Sequence, residues 1–306
     1  MNMPIDAFLT ALYVIVDDWY QLHGCRLLAG KAGSKPTFSD SEVMTLSIAQ
    51  HWCGFATERE WLRFVRNNHP DLFPKLVSQS EFNVRARSLC WVIRELGNWA
   101  IEQMGVRSER WRLVDGTPIH ARHWRRYGPR SLALPGAALG RCAAKRECFY
   151  GYRLVVLTTL DGVITDWVLI PANADEREGA LDLLEAYSNL CTLGDKGFLD
   201  QMRQAYLQEQ HGIHLLTPKR KNQKQQNPKE WDLLLKQARQ RIESVYSQAK
   251  AFFGLEKPGA KTFWGLASRL IAKLTGMALA AWAIDPTAAP RSSSRSSRFD
   301  PIPNQP

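Results

Sequence analysis

Acidic residues are in short supply in this chain. Thirty Asp and Glu face 40 Lys and Arg, giving a net charge of +10 and a pI near 9.4. A balance of this sign leaves the fold open but points to a polyanionic partner, most simply nucleic acid. Paired cysteines are missing as well. The six, Cys25, Cys53, Cys90, Cys142, Cys148 and Cys191, form no C-x2-C pair and have no histidine pair near them at zinc spacing. That argues against a structural zinc site and fits reduced thiols in a cytosolic protein. Long apolar runs are also lacking. The longest, Met277 to Ile284, is short and alanine-rich, so no membrane span is expected. Met1 to Leu12 include Asp6 and have no basic segment, so no secretory signal is expected. There is no internal repeat.

What is present divides by pattern. The chain has 306 residues, of which 45% are hydrophobic, enough for one large or two ordinary domains. Residues 1–106 read as helices only. Leu9, Leu12, Tyr13, Val16 and Tyr20 recur at helical spacing over Ile5 to Leu22. Ser39-Asp-Ser-Glu42 is a capping-box pattern that opens a second helix to about Trp52. A third is predicted from Thr57 to Asn67, and a fourth from Ser78–Ser80 that can continue to Met104. Short Gly/Pro loops between them are compatible with helix-turn-helix. Arg59, Arg63, Arg66, Arg85 and Arg87 then read equally well as DNA contacts or as a solvated bundle face.

The character changes at Trp111, which opens a region expected to extend over 107–284. Trp111 to Asp115 reads as a short strand with Asp115 at its end and a turn at Gly116. His120 to Arg146 reads as a long loop. Its seven cations include Arg122, Arg141 and Arg146, and no acid occurs before Glu147, a composition suited to phosphate contact. Phe149 to Leu160 and Val163 to Ile170 are strands joined at Asp161-Gly162, a hairpin signal. A helix follows, then Cys191 to Gly194 as a short strand ending in Asp195, a helix from Phe198 to Glu209, and a strand from Ile213 to Thr217. A long helix runs from about Pro228 to Phe253, and a last one from Thr262 to Ala283 that is apolar enough to dock on the sheet. Residues 285–306 are a serine-rich tail expected to be disordered. The order of strands and helices is that of an α/β unit, a mixed sheet flanked by helices.

Three carboxylates stand out in that order. Asp115 and Asp195 each end an apolar strand, where a carboxylate is costly unless it is used. In the long helix, Arg239, Glu243 and Lys250 follow R-x3-E-x6-K, spacings that return to one side. Ala238, Ile242, Val245, Ala249 and Phe252 form an apolar stripe beside them. The helix can therefore deliver Glu243 to the edge that carries both aspartates. Three converging carboxylates repel one another unless a hard cation such as Mg²⁺ or Mn²⁺ is shared between them. Two such ions form the known clamp for phosphodiester chemistry.

Val114-Asp115-Gly-Thr-Pro-Ile119, Gly194-Asp195-Lys196-Gly197-Phe198 and Arg239-x3-Glu243-x6-Lys250 resemble the three catalytic blocks of bacterial insertion-sequence DDE transposases. Phe149-Tyr-Gly-Tyr152-Arg-Leu154 and Pro171-Ala-Asn173-Ala-Asp175 resemble further segments of that family, and the likeness covers roughly Trp111 to Phe253. It implies a ribonuclease H-like catalytic domain with Asp115, Asp195 and Glu243 as catalytic metal ligands for two Mg²⁺ or Mn²⁺ ions. It also implies an all-helical N-terminal DNA-binding region. The activity implied is cleavage of double-stranded DNA at element ends and transfer of the freed 3′ hydroxyl into target DNA. Arg239 and Lys250 are implied DNA contacts, with Lys196, Lys219 and Lys221 as further candidates. A homodimer working in the bacterial cytoplasm, at the nucleoid, is the implied setting. The family's tyrosine three positions before the arginine is Lys236 here, while Tyr246 sits at a different position on the Glu243 face. Two other readings stay open: a ribonuclease H-like nuclease that cuts without joining, and a DNA-binding protein derived from a transposase without catalysis.

Overall fold

The computed structural model describes residues 3–28, 36–123, 134–142, 146–219, 227–256 and 258–284. These form two compact units. One comprises Met1–Ala100 together with Ala249–Ala280, and the other is built on Ile101–Gln248. This grouping differs from a simple division into N-terminal and C-terminal parts.

The helical unit opens with α1 (Ile5–Leu22), α2 (Asp40–Trp52), α3 (Glu58–Asn68), α4 (Gln79–Ser88) and α5 (Cys90–Gln103). The capping box at the start of α2 forms: the Ser39 side chain accepts from the Glu42 amide, and Glu42 accepts from the Ser39 amide. The fourth predicted helix is two helices, because the chain breaks at Leu89, which caps α4. The sequence reading puts the last helix, α9 (Phe263–Ile284), against the sheet. Its residues up to Ala280 group instead with the helical unit, where Thr275 donates to the Ile93 carbonyl on α5 at 2.9 Å. By length and composition α9 is apolar enough to cross a membrane, which the shorter run read from the sequence is not. Half of it, however, is buried inside the protein, so it serves as a core helix.

The second unit holds a six-stranded sheet. Its strands are β1 (Trp111–Arg122), β2 (Ala138–Cys142), β3 (Glu147–Thr158), β4 (Ile164–Pro171), β5 (Cys191–Gly194) and β6 (His214–Leu216). β3 pairs antiparallel with β1 on one side, and with β4 and β2 on the other. β5 lies parallel to β1, and β6 parallel to β5. An antiparallel meander feeding two parallel strands through α6 (Glu176–Leu184) and α7 (Gln201–His211) is the expected ribonuclease H-like mixed sheet. At the hairpin between β3 and β4, Gly162 has φ +90°, a conformation that favours glycine.

Two strand readings change. β1 does not stop at Asp115. It runs to Arg122 because β3 pairs with it from Leu113–Thr158 to Arg122–Tyr150. The parallel partner β5 ends sooner, at Val114–Gly194, which leaves the rest of β1 as an edge where Pro118 can sit. The long basic loop is correspondingly shorter, since its ends belong to β1 and β2. Residues 124–133 and 143–145 of it, like the tail after 284, lie outside the described residues.

Buried side chains set the start of β1. Arg112 is fully buried and donates to the carbonyls of Trp111, Val106 and Arg107. Val114, Val155, Leu157, Leu184, Phe198 and Leu207 build the core beneath α6 and α7. Alternation along β1 turns Asp115 to the opposite face, where the long helix α8 (Lys229–Phe253) buries Leu235, Ala238, Ile242, Val245 and Tyr246.

A buried lysine in the helical unit gives a test of its packing. Lys273 is 4% exposed and donates to the Gly254 carbonyl at 2.7 Å. Burial, with Arg269 nearby, pushes its ammonium from 10.5 down to about 8. Between these values the unfolded chain holds the proton that the folded chain has lost, so raising the pH favours folding. The cost is fully present below pH 8 and vanishes above pH 10.5, on the order of 3 kcal/mol for a shift of this size. Chemical denaturation of wild type and Lys273→Met from pH 7 to pH 10.5 should show wild type gaining relative to the variant. A difference that stays flat with pH would contradict it.

Candidate active site

The site is built where β1 and β5 separate. The last pair of their ladder is Val114–Gly194, and Asp115 and Asp195 follow directly on the two strands. Adjacent strands run about 4.8 Å apart, so the ladder sets the two aspartates side by side at one level. Asp115 lies inside the long strand β1 and not at its end, while Asp195 follows directly on β5.

Each aspartate is held by backbone amides. An Asp115 carboxylate oxygen accepts from the Gly116 amide at 2.8 Å. Asp195 caps the 3-10 turn Lys196–Phe198, accepting from the Gly197 amide at 2.6 Å. Burial pushes the Asp115 carboxyl up from 3.8 to about 7. The charges of Asp195 and Glu243 contribute to that rise, against the pull of the Gly116 amide and of Arg239. Asp195, Glu243 and Arg239 thus all act on Asp115 through space.

Glu243 lies on α8, exposed at 60%, and accepts from Arg239 Nε at 2.9 Å. That bond, and the charge behind it, holds the Arg239 guanidinium above its ordinary range, with smaller contributions from Asp195 and Asp115. Among the described residues, no three carboxylate, histidine or cysteine groups stand together closely enough to hold an ion. The donor chemistry nevertheless suits one. All three groups offer hard oxygens, and a buried carboxyl raised by its acidic neighbours is the kind a cation stabilises.

The remaining predicted residues are distributed differently. Lys196 is exposed beside Asp195, and Lys219 is half-buried past the end of β6. Lys250 belongs to α8, but its side chain lies outside the described residues, as does the whole of Lys221. Arg85 is not a surface cation: it pairs with Asp40 at 2.8 Å. His120 sits 3.4 Å from Glu147 on the neighbouring strand. One contact escaped the sequence reading. Tyr246 is buried, and its hydroxyl donates to the Asp115 carbonyl at 3.0 Å. Its position three residues after Glu243, beside the apolar stripe, was the available signal.

Gly197 supplies a test. A Cβ there would lie 2.8 Å from the Asp195 carboxylate oxygen. That oxygen is the far end of a flexible side chain, so it can move at little cost to stability. If Asp195 serves DNA cleavage as the resemblance implies, Gly197→Ala should displace its carboxylate and lower that activity about tenfold or more, with thermal stability nearly unchanged. Full cleavage by a folded variant would contradict this placement of Asp195.

Comparison with known proteins supplies the family. No curated protein sequence matches the chain. A solved structure, the crystal structure of a pre-cleavage Mos1 transpososome, aligns over 88% of this chain and 86% of that chain at 14% identity. Its TM-score of 0.20 is too low to carry an argument. The family described as "Transposase DDE domain" matches residues 106–261, just over half of the chain, and the match spans Asp115, Asp195 and Glu243. The chain belongs to the DDE transposase family.

Proposed function

We propose that this protein binds the ends of a mobile DNA element, cuts them, and joins the freed 3′ hydroxyls to target DNA. Family membership implies a metal-dependent DNA-cleaving enzyme in general. The observation that supports the finer reading is that Asp115 and Asp195 each directly follow the last β1–β5 pair, Val114–Gly194, with Asp195 and Glu243 both within electrostatic reach of Asp115. In this reading Asp115, Asp195 and Glu243 would hold two Mg²⁺ or Mn²⁺ ions, whose chemistry would be activation of the attacking oxygen and stabilisation of the departing 3′ oxygen.

The chain's own residues do the rest. The β1–β5 ladder orients the two aspartates before substrate arrives, which limits reorganisation during the reaction. Arg239 neutralises Glu243 in the absence of DNA and can turn to a phosphate when Glu243 engages metal. Lys196, beside Asp195, is placed for a neighbouring phosphate, and Lys219, Lys221 and Lys250 extend the basic track. In the helical unit, α3 exposes Arg59, Arg63 and Arg66, a spacing that lies along one helix face. That stripe supports the N-terminal helices as the DNA-binding region. Two copies, one per element end, and a site of action at the bacterial nucleoid complete the proposal.

Strand cleavage and joining should be measured on DNA bearing the element ends, with Mg²⁺, for Asp115→Asn, Asp195→Asn and Glu243→Gln. Each variant should lose at least a hundredfold in both steps while DNA affinity stays within a few fold. Retained metal-dependent cleavage in any variant removes that residue from the set. Cutting without joining by wild type would favour a nuclease. Tight specific binding without cutting would favour a DNA-binding derivative.

A further inference from the structure

We infer that Tyr246 is a positioning residue for the carboxylate site, fixing both the rotation and the height of α8 against β1. The inference rests on the reading of Asp115, Asp195 and Glu243 as metal ligands. Glu243 can join the aspartates only if α8 keeps one phase. A slip of one residue rotates the helix by about 100° and moves it by about 1.5 Å.

Several contacts bear on that phase, and they differ in how well they define it. The Arg239–Glu243 pair is internal to α8, so it sets nothing relative to the sheet. Arg241 stands 3.8 Å from Asp161, and both side chains are more than half exposed. Exposed pairs of this kind contribute little. Ile242 and Val245 are buried, but apolar contact is non-directional and tolerates small shifts. The Tyr246 hydroxyl is different. It makes a directional bond of 3.0 Å to the carbonyl of Asp115 itself, just beyond the last β1–β5 pair, Val114–Gly194.

The geometry then follows from helix periodicity. Tyr246 is three residues after Glu243, so both lie on the same side of α8. Anchoring Tyr246 to the Asp115 peptide sets Glu243 about one turn away along the helix, within electrostatic reach of the Asp115 carboxylate. Tyr246 touches no reacting atom in this account; it acts through Asp115 and Glu243.

The test uses the full chain. Mn²⁺ binding is measured by electron paramagnetic resonance for wild type, Tyr246→Phe, Val245→Ala and Asp115→Asn, with thermal unfolding in parallel. Tyr246→Phe should weaken Mn²⁺ binding about fivefold, the size expected for one lost hydrogen bond, and raise the Mg²⁺ concentration for half-maximal cleavage similarly. Val245→Ala removes buried packing from the same helix, so it should lower thermal stability without moving the Mn²⁺ affinity. A Tyr246→Phe protein whose Mn²⁺ affinity equals that of wild type, or shifts no more than Val245→Ala does, overturns the inference. If Asp115→Asn also binds Mn²⁺ like wild type, the metal-ligand reading itself fails. If Asp115→Asn loses binding and Tyr246→Phe does not, only the role of Tyr246 fails.

Discussion

Two carboxylates held side by side where a parallel ladder ends are the constraint on which the catalytic unit depends. Like charges in that position are unfavourable, and burial worsens the cost for Asp115, whose carboxyl rises to about 7. The surrounding structure supports the pair through backbone amides from Gly116 and Gly197. It also supplies the guanidinium of Arg239, carried on α8.

The rest of the unit serves that placement. Fully buried Arg112 ties the start of β1 to the preceding turn, and β3 supports β1 along almost its whole length. The core under α6 and α7 packs Val114 on one face of the strand, which commits Asp115 to the other by strand alternation. α8 covers that second face. Its apolar stripe gives burial, while its polar edge carries Arg239 and Glu243 at the rim.

Much of this was legible in the sequence because local chemistry and tertiary need agree. Ile5–Leu22, the Ser39 capping box, the Asp161-Gly162 hairpin and the apolar stripe of α8 all form as the residue pattern predicts. Two of the failures, at β1 and α9, share one physical cause, which is that partners distant in sequence decide them. β1 continues past Asp115 only because β3 pairs with it, and Gly116-Thr-Pro118 gave a local turn signal. The α4–α5 break at Leu89 has no glycine or proline to mark it. α9 was apolar enough for either the sheet or the helices, and its Thr275 bond to Ile93 could not be read from periodicity. In the site, Asp195 was readable as a strand-terminal acid and Asp115 as an acid on an apolar strand, though not one that ends there, whereas the Tyr246 bond joins residues 131 positions apart.

The central claim is that Asp115, Asp195 and Glu243 share bound metal. Localised oxidative cleavage tests it most directly: Fe²⁺ replaces Mg²⁺ in the full chain, ascorbate and peroxide are added, and backbone cuts are mapped by mass spectrometry. The account predicts three clusters of cuts, near Asp115, near Asp195 and near Glu243, all suppressed by excess Mg²⁺. Cuts confined to other segments, or an absence of cutting at any of these three, would contradict it.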